Sequence, residues 1–198
     1  MALTKVRAGG LTLSDNFAFT GTVSGSGLNL LLNATISSAV SEYDISSTYI
    51  NSTYDAYWLQ ASLLPATDGA NAYFRVFVGG AVQTGSIYGI EVAARDGSQY
   101  TGSNATEQFY FNGGDTCGNA TGEGIHYQLL MQNVNSTTRP FTVEGGSSSY
   151  TTSANHKANG FGGTLIVANA SSVVNGVRLF WNTGNIASGT VQLYGLGK

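Results

Sequence analysis

The chain has little of several features common in soluble domains. Only 10% of its 198 residues are charged, against roughly a quarter in an average domain. A single cysteine, Cys117, excludes an internal disulfide, so core burial and subunit contacts must provide stability. No run approaches the roughly 18 apolar residues of a membrane-spanning helix, and the first residues lack the apolar region of a secretory signal. We therefore expect synthesis in a cytoplasm and no membrane partner.

The charge balance is also weak in sign. A net charge of −3 provides no basic surface of the kind that binds nucleic acid, so no nucleic-acid partner is expected. Ser, Thr, Asn and 27 Gly residues supply most of the polarity instead. A surface of hydroxyls and amides suits a protein that packs within an assembly, because strong self-repulsion would oppose close packing.

Strong helix formers are scarce, with three Lys, five Glu and two Met in the chain. Apolar residues do not recur at helical spacing, whereas short apolar runs separated by Gly, Asn, Asp and Ser are frequent. This pattern predicts an all-β protein. We expect a jelly-roll β-sandwich of about eight to ten antiparallel strands over residues 28–198, preceded by an extended N-terminal arm over residues 1–27.

The clearest strand pattern begins at Leu28. Apolar residues occupy every second position from Leu28 to Ile36, with Leu31 as the exception. This alternation predicts a strand that buries Leu28, Leu30 and Leu32 on one face. Further strands are predicted near Tyr54–Leu64, Tyr73–Val78, Ile87–Ala93, Gln108–Phe111, Ile125–Asn133, Phe141–Glu144, Thr164–Asn169, Val177–Trp181 and Thr190–Tyr194.

Glycine pairs and Asp-Gly pairs predict the tight connections between these strands, because such positions accept a positive φ. They are Asp68-Gly69, Gly79-Gly80, Asp96-Gly97, Asn112-Gly113-Gly114 and Gly145-Gly146. The run Ala72–Val78 is apolar on both faces apart from Arg75. Its second face should therefore be covered by another sheet, a loop or another subunit. With the low charge, this favours a homotrimer.

The C-terminal residues Ser188, Gly189, Leu193, Tyr194 and Gly195 form the pattern Ser-Gly-x-x-x-Leu-Tyr-Gly. This ending resembles that of β-sandwich modules in fibres, spikes and shell-decorating proteins of tailed bacteriophages. The stretches 5–11 and 17–23 are similar to N-terminal attachment arms of phage appendage proteins. The resemblance covers the two ends of the chain and the glycine-punctuated rhythm of strands between them.

This resemblance implies a non-enzymatic virion structural protein on the virion surface, acting as a capsid decoration, cement or head-fibre protein. Its partners would be a major capsid or tail protein and two further copies of itself. The alternative is a tail-fibre receptor-binding module that recognises host surface glycans. A cellular carbohydrate-binding module is a third interpretation.

Attachment is assigned to the arm because residues 1–27 have too little apolar continuity to form a layer. The side chains best able to contact a partner are two cations and three apolar anchors. These are Lys5, Arg7, Leu11, Phe17 and Phe19. The alternative is an ordinary first strand that follows a frayed end.

Catalytic and cofactor sites are not predicted. A glycosidase needs two carboxylates about 5–10 Å apart, and the sequence does not show that any two of its acidic residues face each other. Glu91, four residues before Arg95, is interpreted as a satisfied structural charge. His126 and His156 lack metal-ligand spacing, so neither a metal nor another cofactor is expected.

Aromatic residues are the remaining signal for binding, since exposed rings can stack on sugars. The candidates under the glycan interpretation are Trp58, Tyr49, Tyr54 and Tyr57. The competing interpretation places Trp58 and Trp181 in the core, because both lie within apolar runs. Tyrosines are also favoured at subunit interfaces.

Overall fold

The computed structural model describes residues 27–95, 100–112, 116–153, 155–166 and 172–197. Every named strand pairing in these ranges is antiparallel, and the described residues include no helix. The strands are β1 (Leu28–Ile36), β2 (Glu42–Ile45), β3 (Tyr57–Pro65), β4 (Ala72–Val78), β5 (Ala81–Val82), β6 (Tyr88–Ala94), β7 (Tyr100–Thr106), β8 (Phe109–Tyr110), β9 (Gly124–Gln132), β10 (Thr142–Tyr150), β11 (His156–Leu165), β12 (Val174–Trp181) and β13 (Ile186–Leu196).

Two sheets form a sandwich, which confirms the all-β prediction. The larger sheet has eight strands in the order β1-β13-β3-β9-β10-β11-β6-β7, and the smaller has β2-β12-β4-β5 with β8 beside β4. The thirteen strands of the described residues exceed the expected eight to ten, because short strands such as β5 and β8 carry little sequence signal. The jelly-roll topology and the boundary between arm and body stay predictions.

The core lies between the sheets and is rich in aromatic rings. Phe111 is stacked on Tyr127 with ring centroids 4.5 Å apart and meets Phe161 edge-on at 5.0 Å. Phe109 meets Tyr88 edge-on at 4.8 Å. All of these rings except that of Phe161 are fully buried, so the aromatic residues of distant strands join in one interior.

β1 forms where it was predicted, but its predicted buried face is wrong at one end. The pairing with β13 shifts register between Leu30 and Leu32, which is a β-bulge at Leu31. Beyond the bulge Leu32 packs against the core, whereas Leu28 and Leu30 are 46% and 54% exposed. The extra residue turns these two leucines to the opposite face.

Glycine positions divide into turns and strand interiors. Gly69, Gly79 and Gly80 adopt positive φ in connections, as predicted. The turn predicted at Gly145-Gly146 is wrong, because both residues lie within β10 and pair with β9 and β11. The Asp-Gly pair at 96–97 and the glycines at 113–114 lie outside the described residues.

The second face of β4 (Ala72–Val78) is covered by arginines of its own sheet. The Arg75 guanidinium carbon lies 4.9 Å from the centre of the Phe180 ring, and that of Arg178 lies 5.5 Å from the Phe77 ring. These cation–π contacts cover the outward rings. The two-sided apolar pattern therefore does not by itself require a second subunit.

Arg178 is held in place by acidic neighbours on β2. Its Nε and Nη2 each donate to a carboxylate oxygen of Asp44 at 2.7 Å, and Glu42 lies 2.8 Å away. The hydrogen bonds to Asp44 raise the pKa of Arg178 above its ordinary value. These ion pairs join β12 to β2, so the charges of Arg178, Asp44 and Glu42 are paired with one another inside the smaller sheet.

Candidate functional site

The larger sheet has an outer face turned away from the smaller sheet. On β3, Tyr57, Leu59 and Ala61 are buried, so the alternating residues Trp58 and Gln60 point outward. The same alternation on β9 and β13 directs further side chains to this face. Cross-strand register then decides which of them become neighbours.

One outward row is apolar and aromatic. Register places Leu30 opposite Tyr194, Tyr194 opposite Trp58 and Trp58 opposite Leu130. We call these four residues the aromatic row. The rings of Trp58 and Tyr194 have centroids 6.1 Å apart and planes tilted by 40°, so they lie side by side and not face to face. Both are half-buried.

The adjacent outward row consists of side-chain amides. Asn33 pairs with Gln192, Gln192 with Gln60 and Gln60 with Gln128. We call these four residues the amide row. Gln192 donates to Asn33 at 3.3 Å, while the amides of Gln60 and Gln128 make no hydrogen bond to another described side chain or backbone. Their donors and acceptors are available on the outer face.

Glycines leave an open floor without side chains beside these rows. Along β11, a Cβ at Gly160 or Gly162 would meet nothing within 4 Å. On β10, a Cβ at Gly146 would lie 3.3 Å from a guanidinium nitrogen of Arg95, so this side chain crosses the floor. An open cavity of about 310 Å³ adjoins the floor and is lined partly by Glu91.

The two carboxylates nearest this floor are Glu144 on β10 and Glu91 on β6, one on each side of β11. Glu144 and Glu91 both face Gly162 in register and are therefore two strand spacings, roughly 10 Å, apart at the backbone. Glu91 is exposed and forms no ion pair with a described residue, so water and not Arg95 solvates its charge. Among the described residues no group of three His, Cys, Asp or Glu could hold a metal ion.

The predicted aromatic candidates separate clearly. Tyr57 is buried, donates to the Asn51 carbonyl at 2.8 Å and has its pKa raised by burial, so it is structural. Tyr49 and Tyr54 are half-buried and pack against the core. Among the four predicted candidates, only Trp58 lies on the outer face.

The two tryptophans have different environments. Trp181 is 4% exposed and lies in the core as expected, whereas Trp58 faces outward and its predicted core position is wrong. Neither Tyr194 nor the amide row was predicted to contact a glycan. In the sequence these residues are marked only by their position in the alternation of each strand. The residues that lie beside them belong to strands distant in the chain.

The C-terminal pattern has a structural explanation in β13. A Cβ at Gly189 would lie 2.3 Å from the Ser62 carbonyl oxygen, and one at Gly195 would lie 2.6 Å from the Tyr54 ring. Leu193 is fully buried and Tyr194 belongs to the aromatic row. The two glycines therefore allow neighbouring atoms to approach the β13 backbone closely. Leu193 packs inside the sandwich, and Tyr194 lies on the outer face.

A second polar cluster lies inside the sandwich and is closed to solvent. Tyr127, Ser147 and Asn159 are neighbours in register and are buried. Ser147 donates to the Phe111 carbonyl at 2.7 Å, and burial raises the pKa of Tyr127. An external ligand has no access to this cluster, so the outer face is the better candidate site.

The predicted attachment residues Lys5, Arg7, Leu11, Phe17 and Phe19 lie outside the described residues. In the part of the chain that is described, no helix is long and apolar enough to cross a membrane. Comparisons with protein-family models, curated protein sequences and solved structures found no match to this chain.

Proposed function

We propose that this protein is a non-enzymatic structural protein of a tailed-phage virion, a capsid decoration, cement or head-fibre protein. It lies on the virion surface, attached through residues 1–27 to a major capsid or tail protein, and assembles as a homotrimer. The resemblance of both chain ends to phage appendage proteins motivates the proposal. The observation that supports it most directly is the unpaired, apolar edge of strand β1.

β1 is an edge strand with exposed leucines. It pairs with β13 on one side, and no described strand pairs with its other side. Leu28 and Leu30 are 46% and 54% exposed on this nine-residue strand. A long apolar edge offers unpaired backbone groups to another chain, and monomeric proteins usually protect such an edge. An assembly contact at β1 would cover it.

The position of this edge also suits attachment by the arm. β1 begins at Leu28, directly after the predicted arm, and Leu28 pairs with Leu196 near the other end of the chain. Leu28 and Leu196 therefore meet at one end of the larger sheet. An arm that begins there can reach a neighbouring protein without crossing the core.

Light scattering of the full-length protein at micromolar concentration tests the assembly. We expect a trimer mass for the wild type and a smaller mass for the double variant Leu28→Lys, Leu30→Lys, because two ammonium groups oppose pairing at this edge. Tyr150→Lys is the control, since Tyr150 is 44% exposed on β10, away from β1. A wild-type monomer over a wide concentration range would contradict the trimer.

Binding to virions that lack this protein tests attachment. Deleting residues 1–14 should leave a folded body that no longer binds, whereas the full-length protein should bind and be visible on imaged particles. Undiminished binding by the deleted form would move the attachment surface to the sandwich. Incubation with host lipopolysaccharide should release no reducing ends if the protein is not a hydrolase.

A further inference from the structure

The aromatic row and the amide row are adjacent on one face. Trp58 and Gln60 are two residues apart on β3, and Tyr194 and Gln192 are two residues apart on β13. Outward side chains so spaced stand about 7 Å apart. We propose that the amide row and the aromatic row without Leu30, which lies at the edge assigned to the contact between copies, form a binding site for a neutral oligosaccharide. This proposal is independent of where the protein lies on a particle.

The rings can supply the apolar part of sugar binding. A pyranose has a face of C–H groups that packs against an aromatic ring, and a flat sheet presents neighbouring rings to consecutive sugar units. Trp58 and Tyr194 are neighbours at 6.1 Å and neither is stacked face to face on the other. The four strands from β1 to β9 span about 14 Å, enough for a short oligosaccharide.

The amides can supply the polar part. A primary amide has two donors and one carbonyl acceptor, and a sugar hydroxyl both donates and accepts. Gln60 and Gln128 have no hydrogen-bond partner within the described chain. A sugar stacked on the aromatic row would place hydroxyl groups beside these amides, so both rows would be used together.

The charge of the face favours a neutral ligand. The outward residues of the two rows carry no charge. The nearest outward charges are one of each sign: Glu144 lies opposite Leu130, and the Arg95 guanidinium reaches Gly146, which lies opposite Gln128. An acidic polysaccharide or a nucleic acid would find few cations here. A second protein copy that covered these amides without matching polar groups would leave buried donors and acceptors unpaired. Such unpaired groups are costly in free energy.

Isothermal titration calorimetry on the full-length protein tests the site. The probes are cellohexaose, maltohexaose, mannohexaose and chitohexaose, with a heparin-derived hexasaccharide as the acidic comparison. We expect binding of at least one neutral probe. Trp58→Ala should weaken it at least about tenfold and Gln60→Ala about two- to tenfold. Tyr150→Ala should leave it within about twofold, because along β10 Tyr150 lies about 20 Å from the aromatic row and about 13 Å from the amide row.

Nuclear magnetic resonance of the wild type adds a test that needs no variant. The indole N–H signal of Trp58 should shift on titration with the bound hexasaccharide, while that of Trp181, which is 4% exposed, should not. The proposal would be overturned if no neutral probe binds at millimolar concentration, whether or not heparin binds, if Tyr150→Ala weakens binding as much as Trp58→Ala, or if the Trp58 signal is unchanged by a bound probe. A Trp58→Ala variant that lost trimer mass with unchanged sugar binding would assign the face to a contact between copies.

Discussion

The bulge at Leu31 predicts that truncating two leucines in paired strands lowers the free energy of unfolding by very different amounts. Leu193 on β13 is fully buried, whereas Leu30 on β1 is 54% exposed. Truncating a buried leucine to alanine costs about 2–5 kcal/mol because the lost burial is joined by a cavity. Full burial of a leucine stabilises by about 1.5–3 kcal/mol. Less than half of Leu30 is covered, so its truncation should cost about 1 kcal/mol.

Urea unfolding of the two variants measures this difference. With a slope of about 2 kcal/mol per molar urea, Leu193→Ala should lower the midpoint by about 1–2.5 M and Leu30→Ala by about 0.5 M. The slope itself should not change. If Leu30 also contacts another copy, its effect will grow with protein concentration, because assembly stabilises the folded state by mass action.

Measurements at two protein concentrations tenfold apart separate the two contributions. At the lower concentration, where assembly contributes least, the difference between the variants should be greatest. An equal loss of stability in both variants at that concentration would refute the bulge, because it would place Leu30 in the core with Leu32. The original alternation from Leu28 to Ile36 would then be correct.

The remaining predictions concern a glycine pair and a buried tyrosine. Gly145→Ala should destabilise by several kcal/mol, because its Cβ would lie 2.0 Å from the Gln128 carbonyl oxygen, whereas Gly160→Ala, which meets nothing within 4 Å, should be neutral or stabilising in thermal melts. Equal effects would contradict this register. Burial raises the pKa of Tyr88 to about 12, and its hydroxyl donates to the Gln83 carbonyl at 2.9 Å. The folded state therefore keeps a proton that the unfolded chain loses near pH 10, so this stabilisation is fully present below about pH 10 and is lost as the pH rises to about 12. Urea melts across this range should decline less steeply for Tyr88→Phe, and an unchanged slope would contradict the assignment.

The candidate site was only partly predictable. Trp58 could be selected as an aromatic residue able to stack on a sugar, but its outward direction depends on the phase of β3. Tyr194 and Gln192 lie more than 130 residues from Trp58 in the chain, and their proximity arises from the pairing of β13 with β3. Local sequence has no information on such a pairing, because register is set by both strands together.

The all-β class and the positions of the strongly patterned strands could be predicted from local sequence. Few helix formers and short alternating runs are local properties, and they suffice for β1, β4 and β9. The turns at Asp68-Gly69 and Gly79-Gly80 were also predictable, because a positive φ is a local requirement that glycine meets.

The remaining features depend on contacts between distant strands. Gly145 and Gly146 have poor strand propensity, yet β9 and β11 pair with them on both sides, and that pairing overrides propensity. The outward faces of Leu30 and Trp58 follow from a bulge and a sheet order that no single segment encodes. The cover over β4 likewise comes from Arg178 of a distant strand. In each case the deciding contact joins residues far apart in the chain.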